Sequence, residues 1–325
     1  MILLCRCLVI VFSTARSYAR PQNTSSPREI RRKWAIIEDV NLSTTPLAII
    51  GSGRVASALG RIFADRGVPV RAIASRNLEH ARVAAQFIGG AEPVELEAIP
   101  DLAHRVLIAV SDNAIREVAQ RLARAGLKDG IVLHTAGSRG PEELAPLGAG
   151  ASTGVLYPLQ TFPTPQQGAL SLPGTYFAVT GDQRAVEWAR QIVDLIPGNF
   201  LSLAPKQWAL CHAAAVLASN YQVTLLDAAL EALEHAGVAR EEGLAAMAPL
   251  VRATLENVFR LGPQSALTGP VSRGDVETVR RNRKALGAVS PATQELYCAA
   301  GRRTIPIARQ QGLPARLLEE LEKCL

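Results

Sequence analysis

The chain has 325 residues and 48% of them are hydrophobic, so it can bury the cores of two ordinary domains and is not expected to be disordered as a whole. Its formal net charge is +6, but the excess lies mainly in the first 45 residues, and the remainder carries 28 basic against 26 acidic side chains. That balance gives little reason to invoke nucleic acid, whose binding requires a concentrated cationic face, so no nucleic-acid partner is expected.

Residues 1–45 form a leader that differs in composition from the rest of the chain. An apolar run from Leu3 to Phe12 precedes Ser17-Tyr18-Ala19, in the manner of a signal peptide within residues 1–19. Arg6 interrupts the run, no basic segment precedes it, and it is too short to cross a bilayer as a helix. We expect a disordered or targeting leader on a cytoplasmic protein with no membrane partner; an incorrectly chosen start codon would give the same appearance.

The cysteines show no spacing typical of a zinc site or of a disulfide framework. They are Cys5, Cys7, Cys211, Cys298 and Cys324. We therefore expect reduced thiols and no metal site.

Short apolar segments alternate with longer helical ones in residues 46–203, a pattern typical of a parallel, doubly wound α/β sheet of the Rossmann type. The predicted strands are Leu47–Ile50, Val70–Ala74, Val106–Val110, Ile131–Leu133, Gly154–Leu156 and Tyr176–Val179. The predicted helices between them are Val55–Asp65, Leu78–Phe87 and Ala114–Ala125.

Residues 204–325 change to long helical segments, which predicts a second, all-α domain for substrate binding or dimerisation. Its predicted helices are Gln207–His235, Glu241–Leu261, Asp275–Ala285 and Ala292–Gln311. The first of them is rich in Ala and Leu nearly all round, as expected for a helix buried between neighbours or at a dimer interface.

The turn after the first strand carries a GxGxxA variant of the dinucleotide-binding pattern. Its residues are Gly51, Ser52, Gly53, Arg54, Val55 and Ala56. Gly51 permits a tight turn, Gly53 lets the backbone approach a pyrophosphate, and Ala56 lets the helix approach the sheet. The amides at the start of the helix favour phosphate. An ordinary strand-to-helix turn that contains glycines is the alternative.

The end of the second strand favours NADP(H) over NAD(H). Arg76 stands where NAD sites usually place an acid, and its guanidinium suits a 2′-phosphate. Ser75 and Asn77 are expected to donate further hydrogen bonds to the cofactor, or to cap the next helix. Arg76 as a solvated surface residue is the alternative.

The loops after the third and fourth strands should open at the same edge of the sheet. Val110, Ser111 and Asp112 are expected beside the cofactor, although Ser111 or Asp112 could instead cap the following helix. His134 could orient substrate or transfer a proton beside the nicotinamide, and a structural histidine is an equal alternative.

Polar residues in the helical domain are candidates for the substrate side. His212 and Asn220 interrupt an otherwise apolar helix and are expected to be catalytic, unless they belong to a satisfied network between helices. In the Gly-rich turn near residue 270, Thr268, Arg273 and Asp275 are candidate substrate-binding residues, with Arg273 suited to a carboxylate. Alternatively, Asp275 caps the next helix and pairs with Arg273.

These motifs together resemble proteins in which a Rossmann-like domain precedes the domain of unknown function 2520. The resemblance rests on the GxGxxA turn, on Leu133-His134-Thr135-Ala136-Gly137-Ser138, on Tyr157-Pro158-Leu159-Gln160-Thr161-Phe162, on His212-Ala213-Ala214-Ala215 with Asn220, and on the segments Ala266–Pro270 and Arg273–Asp275. Such proteins are similar in architecture to ketopantoate reductases, pyrroline-carboxylate reductases and deazaflavin-dependent NADP oxidoreductases, and they are often dimers. One departure is Tyr157, where the resemblance implies histidine.

The resemblance implies an NADP(H)-dependent oxidoreductase, acting as a homodimer on a small oxo acid or related carbonyl compound. A non-catalytic protein that senses or holds NADP(H) is one alternative. An oxidoreductase that uses a deazaflavin as the other redox partner is a second, and fold alone does not choose between them.

Overall fold

The computed structural model describes residues 45–325. The predicted leader, with its candidate signal peptide, Cys5 and Cys7, therefore lies outside the described residues except for Thr45.

An eight-stranded sheet forms the centre of the first domain, with strand order β3-β2-β1-β4-β5-β6-β7-β8. The strands are β1 Leu47–Ile50, β2 Val70–Ala74, β3 Glu92–Val94, β4 Arg105–Ile108, β5 Gly130–His134, β6 Ala151–Pro158, β7 Tyr176–Gly181 and β8 Asn199–Ser202. The first six are parallel, and the order reverses between β1 and β4. This is a Rossmann topology, and it confirms the predicted fold class.

The sheet departs from the prediction at one edge. β7 pairs antiparallel with β6, and β8 is parallel to β7, so the sheet is mixed rather than wholly parallel. β3 and β8 were not predicted from the sequence, because the exposed or half-buried residues of these short edge strands lack a continuous apolar run.

Helices cover both faces of the sheet. They are α1 Arg54–Asp65, α2 Leu78–Ile88, α3 Ile99–Leu102, α4 Ile115–Arg124, α5 Pro165–Ser171 and α6 Gln183–Leu195, with 3₁₀ turns at Leu96–Ala98, Asp112–Ala114, Pro141–Gly150 and Pro205–Gln207. One core packs α1, α2 and α6 against one face, and a second packs α4 and the 3₁₀ segment at Pro141–Gly150 against the other. Both faces of β1 and β4 are therefore fully buried.

The remaining chain is helical, as predicted. Its helices are α7 Trp208–Ala215, a π-helical segment Val216–Asn220, α8 Tyr221–His235, α9 Arg240–Ala266, α10 Pro270–Arg273, α11 Val276–Val289, α12 Pro291–Gln310 and α13 Ala315–Cys324. A small core joins α11, α12 and α13 around Val279, Ile305 and Leu321.

The long helical segment at 205–235 is not buried between neighbouring helices of the described chain, which was one of the two expectations from its Ala- and Leu-rich composition. Leu210, Leu217 and Val223 are 75%, 61% and 72% exposed, and Phe259 of α9 is 84% exposed. By length and composition this helix, with a mean hydropathy of 1.2 in its apolar window, is also long and apolar enough to cross a membrane. Within the described chain this surface is left uncovered, and exposed apolar surfaces of this kind are typical of interaction sites.

Candidate functional site

A cavity of about 890 Å³ opens at the carboxyl edge of the sheet. Its walls include Ser75 after β2, Ser52 after β1, Val110 after β4, Thr135 after β5 and Tyr157 of β6. Five neighbouring strands at their usual spacing extend over about 19 Å, so the cavity is long enough for an extended dinucleotide. It straddles the point between β1 and β4 where the strand order reverses, which is where such folds bind ligands.

The turn between β1 and α1 has the geometry that a bound pyrophosphate requires. Gly51 has φ +128°, and a Cβ there would lie 2.1 Å from the Ala109 carbonyl oxygen, so no larger residue fits. Gly53 lines the cavity, and a Cβ on it would meet nothing within 4 Å. The backbone at Gly53 thus faces open space, and a phosphate can approach it.

The start of α1 also suits an anion. Gly53 is the N-cap residue and provides no side-chain cap, and the first turn contains no acidic residue. Arg54 and Val55 line the cavity, whereas Ala56 is fully buried in the core. The first amides of α1 therefore lie at the cavity, and their use by a cofactor phosphate stays a prediction.

The β2 end of the cavity carries a cation and a hydroxyl pair. Arg76 and Ser75 line the wall, and Ser75 Oγ lies 2.9 Å from Ser52 Oγ, which links the first two loops. His80 of α2 lines the same end. Asn77 does not line the cavity: its side chain caps α2 by accepting from the Glu79 amide at 2.8 Å. For Asn77, the capping alternative is the one observed.

The loop after β4 contributes a carboxylate to the cavity. Val110, Ser111 and Asp112 all line it. Ser111 precedes the 3₁₀ turn without a side-chain cap, and Asp112 accepts a short hydrogen bond from the Ser138 hydroxyl. Capping is thus not the role of either side chain, and Asp112 instead joins the β4 loop to the β5 loop.

His134 is structural in this fold, in place of the catalytic role expected for it. The side chain is fully buried and does not line the cavity. Its Nδ1 accepts from the Ala136 amide at 3.2 Å and its Nε2 donates to the Gly140 carbonyl at 2.9 Å. Burial lowers the pKa of the imidazole, partly opposed by the Gly140 carbonyl and by Asp112, Glu142 and Glu143. The buried imidazole therefore holds the loop after β5 in place through two backbone hydrogen bonds. Thr135, Ala136 and Gly137 of that loop line the cavity.

The β6 end of the cavity is formed by Tyr157 and His212. His212 is the residue of the helical domain that lines it, and its ring packs edge-on against Tyr157 with centroids 5.9 Å apart. A Cβ on Gly137 would lie 2.4 Å from Tyr157 Cζ and 2.7 Å from His212 Nδ1, so only glycine lets the β5 loop pass both rings. Among the described residues, His212 Nδ1 is buried with no hydrogen-bond partner.

Tyr157 is a site residue that the sequence signalled only as a departure from the expected histidine. Its ring also packs against Trp208, with centroids 6.3 Å apart. Burial raises the pKa of its hydroxyl, and the Cys211 thiol and Asp112 act in the same direction. The raised pKa favours the neutral, protonated form of the hydroxyl.

Asn220 lies at the end of the π-helical segment and is exposed, outside the cavity wall. A π turn holds one residue more than an α turn, so the position two turns beyond His212 shifts from Ser219 to Asn220. Asn220 thus shares the His212 side of the helix, but eight residues place it about 12 Å further along the axis. In the described chain, Asn220 therefore does not join His212 in the wall of the cavity.

The candidate substrate-binding turn does not reach the cavity in the described chain. Thr268 and Arg273 are exposed, and Asp275 caps α11 by accepting from the Thr278 amide at 3.0 Å. A side-chain hydrogen bond with Thr278 is the largest cause of a lowered Asp275 pKa, the bond from the Thr278 amide is the second, and Arg273 is a smaller cause. The helix-capping alternative is the one observed for Asp275, and the turn packs against the C-terminal helices.

The fold and the cavity define the class of the protein: it has a Rossmann-type first domain with a cavity at the carboxyl edge of its sheet, followed by a helical region. The family models agree. A Rossmann-like domain matches residues 33–163, and the domain of unknown function (DUF2520) matches residues 175–304. The chain is thus a Rossmann-like protein with a DUF2520 region, as the motifs predicted, and the DUF2520 match includes β7 and β8 of the sheet.

Solved structures share this architecture. A candidate NADP oxidoreductase from Bacteroides fragilis is 25% identical, with 79% of this chain and 96% of that chain covered and a TM-score of 0.66. A reductive aminase from Aspergillus terreus in complex with NADPH and ethyl-5-oxohexanoate is 18% identical, with 86% and 92% covered and a TM-score of 0.57. A pyrroline carboxylate reductase from Plasmodium falciparum with NADP bound is 14% identical, with 79% and 98% covered and a TM-score of 0.53. A search of curated proteins found no match.

Proposed function

We propose that this protein is an NADPH-dependent reductase of a small polar carbonyl compound. The observation that carries the proposal is one cavity with a pyrophosphate-type turn at its middle, Arg76 at its β2 end and the Tyr157–His212 pair at its β6 end. NADPH bound there would supply the hydride. The similar structures from Aspergillus terreus and Plasmodium falciparum, which hold NADPH and NADP, support this assignment.

The protein side of the mechanism is positioning and proton supply. The Gly53 turn and the amides of α1 would hold the pyrophosphate, and Arg76 would pair with the 2′-phosphate. The nicotinamide would then extend towards β5 and β6, where Gly137, Tyr157 and His212 line the cavity. His212 would orient the substrate through its unpartnered nitrogen.

The substrate class in the sequence-based hypothesis is a small oxo acid, as for a ketopantoate-type reductase. One observation favours a second class. The arginines in the cavity wall, Arg54, Arg76 and Arg121, belong to α1, the β2 loop and α4, whereas the charged residue in the wall beside Tyr157 and His212 is Asp112. A carboxylate near the β6 end would be repelled by Asp112, and a cationic C=N group would be attracted. Imine reduction is therefore the second candidate function.

A spectrophotometric assay separates these possibilities. NADPH consumption is followed with a panel of 2-oxo acids, the corresponding ketones without a carboxylate, and ketone–amine mixtures that form imines. Turnover of the oxo acids alone supports the first class, and turnover that requires the amine supports the second. Tight NADPH binding with no turnover across the panel would contradict the reductase and favour a protein that only holds the cofactor.

We further propose that a second copy of this chain covers the exposed helical surface, giving a cytoplasmic homodimer. The surface, named the helical face below, comprises the exposed apolar residues of 205–235 and α9: Leu210, Leu217, Tyr221, Val223, Leu225, Leu244, Leu250, Phe259 and Leu261. Asn220, Gln222 and Thr224 lie among them and are also exposed, which a lipid environment would disfavour. In a symmetric dimer the same surface of a second copy would cover the apolar residues and the polar residues among them together.

A further inference from the structure

The backbone and two aromatic neighbours fix the position of the Tyr157 ring. Tyr157 is the penultimate residue of β6, and its backbone pairs with Ala178 of β7 in the interior of the sheet. Its ring lies edge-on to Trp208 and to His212, both on α7. Trp208 is almost fully buried. The ring is therefore held between the sheet and the helical domain, and little freedom is left for its hydroxyl.

The hydroxyl of Tyr157 has the environment of a proton donor. Tyr157 lines the cavity, and within residues 45–325 its hydroxyl makes no side-chain hydrogen bond. Its raised pKa, caused first by burial and then by Cys211 and Asp112, keeps the proton on the oxygen. A neutral phenol can donate to a substrate oxygen or nitrogen, and no internal acceptor competes for it.

The other candidate groups are less suited to this task. His134 is fully buried, and both of its ring nitrogens bond to backbone. Asp112 already accepts a hydrogen bond from the Ser138 hydroxyl. Asn220 is about 12 Å along the helix from His212.

We propose that the Tyr157 hydroxyl is the catalytic proton donor to the oxygen or nitrogen of the reducible group, an inference that rests on the reductase function proposed above. Hydride adds to the substrate carbon and forms the new C–H bond. The π electron pair of the C=O bond, or of a neutral C=N bond, moves to the oxygen or nitrogen, which takes the proton from Tyr157; a C=N group reduced as a cation takes that proton before the hydride adds. Solvent returns a proton to the phenolate, so each turnover consumes one NADPH and one proton. His212, packed against the ring, positions the hydroxyl.

The test compares Tyr157→Phe with Tyr176→Phe. Tyr176 is on β7, is 54% exposed and does not line the cavity, so its variant controls for the loss of a tyrosine hydroxyl. Tyr157→Phe should lower kcat/KM by about 10²- to 10⁴-fold, the usual contribution of a general acid. NADPH affinity by fluorescence titration and the Tm should change little. A Tyr157→Phe enzyme as active as the Tyr176→Phe control would overturn the proposal.

A second measurement does not depend on turnover. Infrared spectroscopy of a ¹³C-carbonyl-labelled 2-oxo acid or ketone, bound together with NADP⁺, reports the hydrogen bond to the carbonyl oxygen. The stretch should shift to lower frequency in the wild type and return towards its unbound value in Tyr157→Phe; an equal shift in both proteins would contradict the donor role. A wild-type protein that lowers the carbonyl stretching frequency but never oxidises NADPH would contradict the reductase function, while the hydrogen bond from Tyr157 to the carbonyl would still be supported. NADPH turnover that is insensitive to Tyr157→Phe would support the reductase and contradict the role of Tyr157 as proton donor.

Discussion

Arg76 is the single side chain on which the cofactor preference depends. It lines the β2 end of the cavity and makes no ion pair among the described residues. Arg76→Asp should weaken NADPH much more than NADH, because the variant loses a charge-assisted contact worth about 1.5–3 kcal/mol and adds repulsion to the 2′-phosphate. Fluorescence titration with both cofactors measures the difference. Arg184→Asp, in the first turn of α6 and outside the cavity, is the control. Equal losses for NADPH and NADH in Arg76→Asp would rule out the phosphate contact.

His134 makes a different prediction, about stability and pH. Its pKa is lowered in the folded protein, so the unfolded chain takes up a proton first as the pH falls. The stabilisation from the neutral, buried imidazole is present above the unfolded value of about 6.5 and is lost below it. The free energy of unfolding should therefore fall between pH 7.5 and pH 5 more steeply in the wild type than in His134→Asn. Urea denaturation at the two pH values gives both slopes, and parallel slopes would be inconsistent with a buried neutral His134.

At the scale of the element, two glycines of the β1–α1 turn have different roles: Gly51 is required for the fold, and Gly53 is expected to be required for cofactor binding. Gly51→Ala would place a Cβ 2.1 Å from the Ala109 carbonyl oxygen at a positive φ, so it should lower the Tm. Gly53→Ala meets no atom within 4 Å and has φ −76°, so it should leave the Tm nearly unchanged. Its methyl group would occupy the space of the pyrophosphate and weaken NADPH. Thermal denaturation and cofactor titration of the matched pair test this; a Gly53→Ala protein with unaltered NADPH affinity would argue against a phosphate at the turn.

The elements that the sequence predicted are those with a strong periodic signal. β1 and β2 have the predicted bounds, because the apolar residues of β1 run without interruption and those of β2 are interrupted only by Arg71. α13 was not predicted, although its amphipathic pattern buries Leu318 and Leu321. The antiparallel direction of β7 could not be predicted, because strand direction depends on the path of the connection and not on the residues of the strand.

The candidate site was predictable where a local motif places a residue at a strand end. Ser52, Gly53, Arg54, Val55, Ser75, Arg76, Val110, Ser111 and Asp112 all line the cavity. The role of His134 was not predictable, because its partners, the Ala136 amide and the Gly140 carbonyl, depend on how one loop folds back. Tyr157 and His212 come together only through packing between two domains, and no spacing in the sequence encodes that contact.

At the scale of the whole molecule, the helical face decides whether the proposed homodimer exists. Nine large apolar residues of the helical face are exposed in a single chain, and exposed apolar surfaces are typical of interaction sites. Leu217→Glu with Val223→Glu places charges at two positions that are 61% and 72% exposed in one chain. If a second copy covers them, burying unpaired carboxylates should shift the protein from dimer to monomer without unfolding each chain.

Sedimentation velocity on the double variant measures that shift, with circular dichroism to show that the helices persist. Leu170→Glu is the matched control, because Leu170 is 83% exposed but lies on α5, outside the helical face. The control should keep the mass of the wild type. A wild type that sediments as a monomer, or a double variant that remains dimeric, would show that the second copy does not bind here. A wild type that stays with a membrane fraction until detergent is added would assign the helical face to lipid, since the helix at 205–235 also meets the length and hydropathy of a membrane span.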